Sequence, residues 1–450
     1  MADSHVHFRS RGSYFPASSV RRVPKAWGEE QWIVNKEYCG KKLLLRKDRR
    51  CSMHTHGEKD EVFYIQQGRV LLEMGKKKYE LAPGDFIHIR AGQPHRFTGL
   101  EESEIFEFST THSEDDSFRT ELSGHADPER YARQSALLGA FTRQSVLVIG
   151  DVMLDRYTEG EITRISPEAP IPVIQVSREW EVLGGAGNSA HNVRALGGRV
   201  RLLSVTGEDR AEAAIRSLCK ASKIPVTFLR AAGRPTVVKQ RVVSGSGQQV
   251  VRVDREATDA LPPRIEGFLL RRLPSLVSRA TAILVSDYAK GAVTARVIRQ
   301  AVRLGKKKGI PVIIDPKPRA GFTHKDCRGA SLLTPNVREA RALLGGQGAS
   351  PEELGRRLSR ATGAAVILTR GGEGLDVWRR GKLLSHFDSL SPAVVDVSGA
   401  GDTVAAVAAL TLGAGGSLTD AADMGNRAAS VVVQKRGTAI LIPVELDAAL

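Results

Sequence analysis

The hydrophobic pattern of this chain changes period once, close to Ser145, and one domain cannot serve both halves. Between about residues 30 and 111, short runs alternate apolar with polar residues: 42–46, 61–66, 69–74, 78–81, 85–89 and 103–109. Strands with one wet face at such close spacing predict a small antiparallel barrel or jelly roll. From Ser145 onward, short and wholly apolar runs (146–150, 282–286, 312–315 and 365–369) alternate with helical stretches such as 294–308 and 351–361. Strands apolar on both sides are those of a parallel sheet covered by helices, so a doubly wound α/β domain is expected over 144–450. Two stretches rich in β-branched residues, 157–183 and 236–254, break that plan and predict a small β lid. The remaining segments are expected to be an N-terminal extension, 1–29, and a charged linker, 112–143.

Composition narrows the class. The 450 residues allow two or three cores, and 41% hydrophobic with 26% charged residues is a globular balance. No apolar run reaches membrane-spanning length and the N-terminus lacks a secretory core, so a cytoplasmic protein with no membrane partner is expected. Cys39, Cys51, Cys219 and Cys327 are far apart and are expected to be reduced thiols. The net charge of +16 comes with only 5% aromatic residues and no stacking platform, so no nucleic-acid partner is expected. Attraction for phosphorylated small molecules or an arginine-rich composition accounts for the charge.

The run Asp396-Val397-Ser398-Gly399-Ala400-Gly401-Asp402 sits between an extended apolar stretch, 391–395, and a helical one, 404–412. At a strand-to-helix junction, Gly399, Ala400 and Gly401 would offer bare amides to a transferring phosphoryl group, with Asp402 as base for the attacking hydroxyl. Alone, the run also fits a glycine turn closed by a helix-capping Asp. A second signature changes the balance. Gly184-Gly185-Ala186-Gly187-Asn188, followed by Asn192 and Leu196-Gly197, resembles the first motif of the ribokinase-like (PfkB-type) sugar kinases; 396–402 resembles the second, with Ser398 where Thr is commoner. The resemblance covers 145–443 and implies a ribokinase-like doubly wound sheet with a β lid, and ATP and Mg2+ as cofactors. It implies sugar binding by Asp155, Gly184, Gly185 and Asn188. It places nucleotide and magnesium at Asn336, Glu339, Thr369, Gly371, Gly372, Gly374 and Asn426, with Gly437-Thr438 near the adenine. Asn336 and Glu339 also read as an ordinary helix capping box, and Asp155 as a surface turn residue.

Within that family the stretches 150–157, 164–170, 252–254, 286–291 and 315–317 resemble the D-glycero-D-manno-heptose 7-phosphate kinases. The implied product is the 1,7-bisphosphate. A sugar phosphate substrate requires cations, for which Lys239, Arg252, Lys290 and Lys317 are candidates. The resemblance further implies a homodimer formed through the lid. Rival readings are a kinase for another sugar or a nucleoside, and a sugar-sensing regulator.

In the N-terminal half, His54-x-His56-x-x-x-x-Glu61, Gly68, Gly84-Asp85 and Pro94-His95 resemble the cupin family, with Arg90 and Gly99 departing from its pattern. Two histidines two apart on a strand share one face; with Glu61 and His95 they would hold a divalent transition metal. The resemblance implies an isomerase or epimerase of a sugar phosphate such as sedoheptulose 7-phosphate, or a cupin that keeps its metal ligands and binds a related sugar phosphate without chemistry.

Overall fold

The alternating runs of the N-terminal half pair antiparallel, as a period of two with one apolar face requires. In the computed structural model, which describes residues 16, 20–75, 77–112, 116–119, 124, 125, 127–245, 247–346, 348–390 and 394–450, the chain divides into two units between Ala132 and Arg133. In the first unit a six-stranded sheet runs in the order Arg21–Lys25, Gly28–Asn35, Tyr38–Leu45, Ser103–Thr110, Glu61–Gln67, Phe86–Ile89. A second sheet contains His54–His56, His95–Gly99 and Val70–Met74. Their inner faces bury Leu43, Leu45, Ile65, Leu72 and Ile105, and Trp27 meets Phe97 edge-on at 5.0 Å. The sheet starts at Arg21, inside the stretch read as an extension. Arg21–Lys25 (RRVPK) is an edge strand with mostly exposed side chains, so it has no apolar face to betray it. The stretch read as a linker carries the helix Pro128–Ala140.

The second unit is built on a nine-stranded sheet in the order Val226–Arg230, Arg199–Thr206, Ser145–Gly150, Ala282–Ser286, Val312–Asp315, Leu332–Leu333, Ala365–Thr369, Leu375–Arg379, Lys382–Phe387. All pairings are parallel until Ala365–Thr369 meets Leu375–Arg379, where an antiparallel edge begins. Every residue of Ala282–Ser286 is buried, which is why that strand reads as one apolar run. A separate four-stranded sheet, ordered Pro172–Gly185, Val152–Ile165, Val238–Ser244, Gln249–Arg255, forms the lid. It begins at Val152, ahead of the expected 157, so Asp155 lies on a lid strand and not in a turn.

One expected local feature is absent. The positions 391–393 of the stretch read as a strand before Asp396 lie outside the described residues, and 394–397 form no strand. The amides of Val395 and Asp396 instead donate to the Val433 carbonyl at 2.8 and 3.0 Å, so the helix Leu418–Val432 anchors the loop. Among the described residues, no helix is long and apolar enough to cross a membrane. The C-terminal ends of the parallel strands lead directly into Asp151, Asp287, Asp315, Asn336 and Thr369, and that edge is where open α/β sheets bind ligands.

Candidate active site and metal centre

The helix Ala400–Gly413 starts from Gly399, whose φ of 83° is left-handed; an added Cβ there would also press to 2.7 Å from the Asn188 amide. Among the described residues, the amides of Gly399, Gly401 and Asp402 find no acceptor, whereas that of Ala400 reaches the Val397 carbonyl at 3.3 Å. These free amides are the positive end of the helix dipole, an arrangement that can hold an anion. Asp402, in the first turn, does not cap its own helix. Its carboxylate accepts from Asn188 Nδ2 at 3.0 Å, Ser189 Oγ at 2.9 Å and the Tyr288 hydroxyl at 2.9 Å. Burial pushes its pKa up to about 6, while those three donors pull it back down. A carboxylate titrating there is a competent general base at neutral pH.

A cavity of about 150 Å³ opens in front of Asp402, lined by Tyr288, Asp315, Lys317, Asn336, Glu339 and Thr369 among others. Burial raises the Asp315 carboxyl well above its ordinary range, and the nearby charges of Glu339 and Asp402 raise it further. Several hard oxygen donors repelling one another around one cavity fit a magnesium ion. Asn336 and Glu339 do form a reciprocal capping box (2.8 and 3.1 Å), and Glu339 also takes Lys317 Nζ at 2.8 Å. The capping reading and the site reading therefore describe the same two side chains. A neighbouring cavity of about 350 Å³ is lined by Asn336, Thr369, Gly371, Gly372, Gly374, Gly401 and Asn426, with Leu375, Val397 and Val404 as its apolar wall. The two cavities share Asn336, Thr369 and Gly401, so an elongated ligand in the larger one reaches the amides at Asp402.

Several expected roles shift. Asn188 is buried and spends its amide on Asp402, so it holds that carboxylate in place. Thr438, read as near the adenine, instead donates to Asp155 Oδ2 at 2.9 Å, and Gly437 N donates to Asp396 Oδ2 at 3.0 Å. Gly184 leaves room for Asp155, since an added Cβ would stand 2.7 Å from that carboxyl; Gly185, at φ 56°, turns the chain into the helix Ala186–Ala195. Arg252 is exposed and pairs with Asp254 at 3.0 Å, and Lys290 pairs with Glu256 at 2.6 Å. Lys239 is half-buried above the Tyr288 ring at 5.4 Å; burial lowers its pKa. Sequence reasoning missed Arg241. It lies two residues beyond Lys239 on the same lid face, 3.1 Å from Asp155 Oδ1, with its guanidinium 5.3 Å from the Tyr157 ring. Ser189 and Tyr288 were also missed as partners of the base; Ser189 adjoins Asn188, and Tyr288 follows a strand end.

In the first unit, the strand pairing His54 with His95 brings His54, His56 and His95 together, their candidate ligand atoms all within 4.8 Å of one another. Each ring has Nδ1 near a backbone carbonyl: His54 with Ser52 at 2.8 Å, His56 with Asp116 at 3.0 Å, His95 with Gln93 at 3.0 Å. A carbonyl only accepts, so Nδ1 carries the proton and each Nε2 is left as a free lone pair. Burial lowers the His54 pKa to about 3, with the neighbouring His95 adding to the effect, and burial lowers that of His56 too. Glu61 Oε1 lies 2.8 Å from His95 Nε2, and neither atom finds a hydrogen-bond partner among the described residues. A proton shared between these two atoms or a bound cation would satisfy both, and three imidazole nitrogens beside a carboxylate are a donor set that fits a divalent transition metal. Lys59, unremarked in the sequence, bridges Glu61 and Glu107 at 2.6 Å each inside the same cavity.

Residues 143–445 match the pfkB family carbohydrate kinase model and residues 44–109 the cupin domain model. The chain is 43% identical over 315 residues to the Bifunctional protein HldE of Caulobacter vibrioides, covering 69% of this chain and 64% of that protein. It is 40% identical over 317 residues to the Bifunctional protein HldE of Shigella boydii, covering 70% and 65%. The chain thus spans a little under two thirds of the length of these curated relatives, 64% and 65%. Among solved structures, phosphofructokinase-2 from Escherichia coli in complex with potassium aligns with a TM-score of 0.56 at 20% identity, over 68% of this chain and 97% of that one. Arabidopsis thaliana ribokinase complexed with ribose and ATP aligns with a TM-score of 0.53 at 19% identity, over 68% and 98%; at such identities the likeness speaks for the fold. A carboxylate held by three donors beside free helix amides, inside a match running from 143 to 445, leaves one family to choose: the chain belongs to the pfkB carbohydrate kinases and carries a cupin domain ahead of the kinase.

Proposed function

We propose that the kinase unit transfers the γ-phosphoryl group of ATP to O1 of D-glycero-D-manno-heptose 7-phosphate, giving the 1,7-bisphosphate and ADP. The observation that carries this reading is the Asp402 carboxylate, buried and triply held, beside amides with no other acceptor. The relatives at 40 and 43% identity and the heptose-kinase-like stretches support the choice of sugar. Asp402 takes the proton from O1–H; the oxygen forms its bond to the γ-phosphorus as the bond to the β–γ bridging oxygen breaks, and ADP leaves with that electron pair. The amides of Gly399 and Gly401 take the charge on the equatorial oxygens. Magnesium, held through Asp315 and Glu339, would supply charge neutralisation. Asp155 and Thr438 receive sugar hydroxyls. The test is turnover of an acceptor panel with ATP: phosphorylated heptose is expected to be preferred, and a faster nucleoside or unphosphorylated sugar would sink the reading. A sensor would turn over none of them.

In this reading Lys239 and Arg241 grip the phosphate already on the substrate. Burial works against the Arg241 charge, but Asp155 holds its pKa up, so the guanidinium stays cationic. Arg241→Gln is expected to raise KM for the phosphorylated sugar by about tenfold or more while kcat changes little, because a charge-assisted pair is lost from ground and transition states alike. An equal loss in KM for phosphorylated and unphosphorylated acceptors would contradict that assignment. For Asp402, kcat/KM is expected to decline as pH falls through about 6, since the protonated carboxyl accepts no proton. Tyr288→Phe, which removes a donor to the charged form, should move that limb to higher pH; a profile flat to about pH 5 would argue for another base.

For the cupin, we infer a divalent metal held by His54, His56 and His95 with Glu61 alongside, and an aldose–ketose isomerisation of a related sugar phosphate. The lid exposes Ile165, Ile171, Val176, Val251 and Val253, which is the apolar surface a homodimer formed through the lid would cover.

A further inference from the structure

The nine-stranded sheet has a second concave end. A cavity of about 440 Å³ lies where Ser145–Gly150 and Arg199–Thr206 begin, and Arg194, Arg199, Arg201, Lys223 and Arg279 line it without a single carboxylate. Its floor is apolar, made by Val146, Val200, Pro225 and Leu276. Local structure explains how cations from distant parts of the sequence meet. Arg199 and Arg201 are two apart on one strand and share a face. Arg194 is in the last turn of its helix, while Lys223 and Arg279 lie two residues past the ends of theirs.

Cations at such places commonly serve the negative ends of helices. That role is already filled at the Arg279 end, where Lys308 Nζ donates to the carbonyls of Val277, Ser278 and Ala280 at 3.0, 2.6 and 2.6 Å. Among the described residues none of the five cations forms an ion pair. Among those residues the one side-chain bond any of them makes is from Arg199 to the Arg143 carbonyl, at 3.0 Å. Five like charges around one hollow repel one another and focus a positive potential into it. An anion relieves that repulsion.

We propose that this pocket binds a small anion carrying two or more phosphate groups. Guanidinium groups match phosphate oxygens in pairs, and the apolar floor suits a ligand with a ring or carbon skeleton. The volume falls in the range of small-molecule sites, and a macromolecule would make little use of a hollow of that size. The kinase site opens at the far end of the same strands. Strand Ser145–Gly150 separates the two by roughly 17 Å at the usual rise per residue. The two ligands therefore do not compete for space.

The experiment is calorimetric titration of the full chain with inorganic tripolyphosphate, compared with the double variant Arg201→Gln/Arg279→Gln. ADP and fructose 1,6-bisphosphate are parallel probes that tell a nucleotide from a sugar source. The variant is expected to bind tripolyphosphate about tenfold or more weakly, with the same kinase turnover in its absence, because two charge-assisted contacts are gone. Equal affinity in both proteins, or no binding to the natural one at millimolar probe, would overturn the proposal. So would a single-stranded oligonucleotide whose binding alone responds to the variant. Turnover is measured separately, so failure of the heptose-kinase reading leaves this outcome legible.

Discussion

D402N is expected to cut phosphoryl transfer by roughly two to four orders of magnitude, the usual contribution of a positioned base. The substitution preserves shape, and the site is arranged to make the charge matter. Asn188, Ser189 and Tyr288 all donate to this carboxylate, and a carboxamide presents one acceptor oxygen where the carboxylate presents two. The free amides of Gly399 and Gly401 remain, so ATP binding should change little and the loss should fall on kcat. Rapid-mixing turnover together with a nucleotide-binding isotherm separates these effects. If the variant keeps more than about a tenth of its turnover, proton removal is done by another group or by water. Thermal unfolding of the same variant should be little changed or raised, because removing a buried charge offsets the loss of one hydrogen bond.

The second large effect is expected in the cupin. His95→Ala should abolish stoichiometric binding of a divalent transition metal to the first unit. His95 is buried beside Glu61 and contributes one of three candidate ligand atoms that lie within 4.8 Å of one another. Metal added to the natural protein should stabilise this unit by about 2.7 kcal/mol at a hundredfold excess over Kd, seen as a higher unfolding temperature, and chelator should reverse it. The variant should show neither response. Elemental analysis and differential scanning calorimetry read the two together. A natural protein that holds no metal after equilibration, or a variant that holds as much, would remove the metal centre from the account.

The parts of the fold carried by periodicity were legible in the sequence. Buried parallel strands such as Ala282–Ser286 are apolar throughout, and the barrel strands alternate, so both declare themselves locally. The edge strand Arg21–Lys25 does not, because pairing through the backbone needs no apolar side chain. In the site, the residues held by local backbone geometry were legible: the glycines at 399 and 401, and the histidine pair two apart on one strand. What stayed hidden depends on contacts across long stretches of sequence. Tyr288 and Ser189 reach Asp402 only after the sheet and the helix Ala186–Ala195 have packed, and Thr438 reaches Asp155 from near the end of the chain. Arg241 could have been found from its spacing to Lys239, since both belong to one face of a lid strand. Lys59 carried no sequence signal. A lone lysine reads as solvated, and only the barrel turns it inward between Glu61 and Glu107.

In the proposed reaction Asp402 and the amides ahead of it move a phosphoryl group onto the anomeric oxygen of a phosphorylated heptose. Phosphorus NMR of the full chain with D-glycero-D-manno-heptose 7-phosphate, ATP and magnesium tests it directly. ADP and a sugar bisphosphate are expected in equal amounts, the new resonance coupled to the anomeric proton. ATP consumed with only inorganic phosphate released, or a new phosphate on any other carbon, would contradict it.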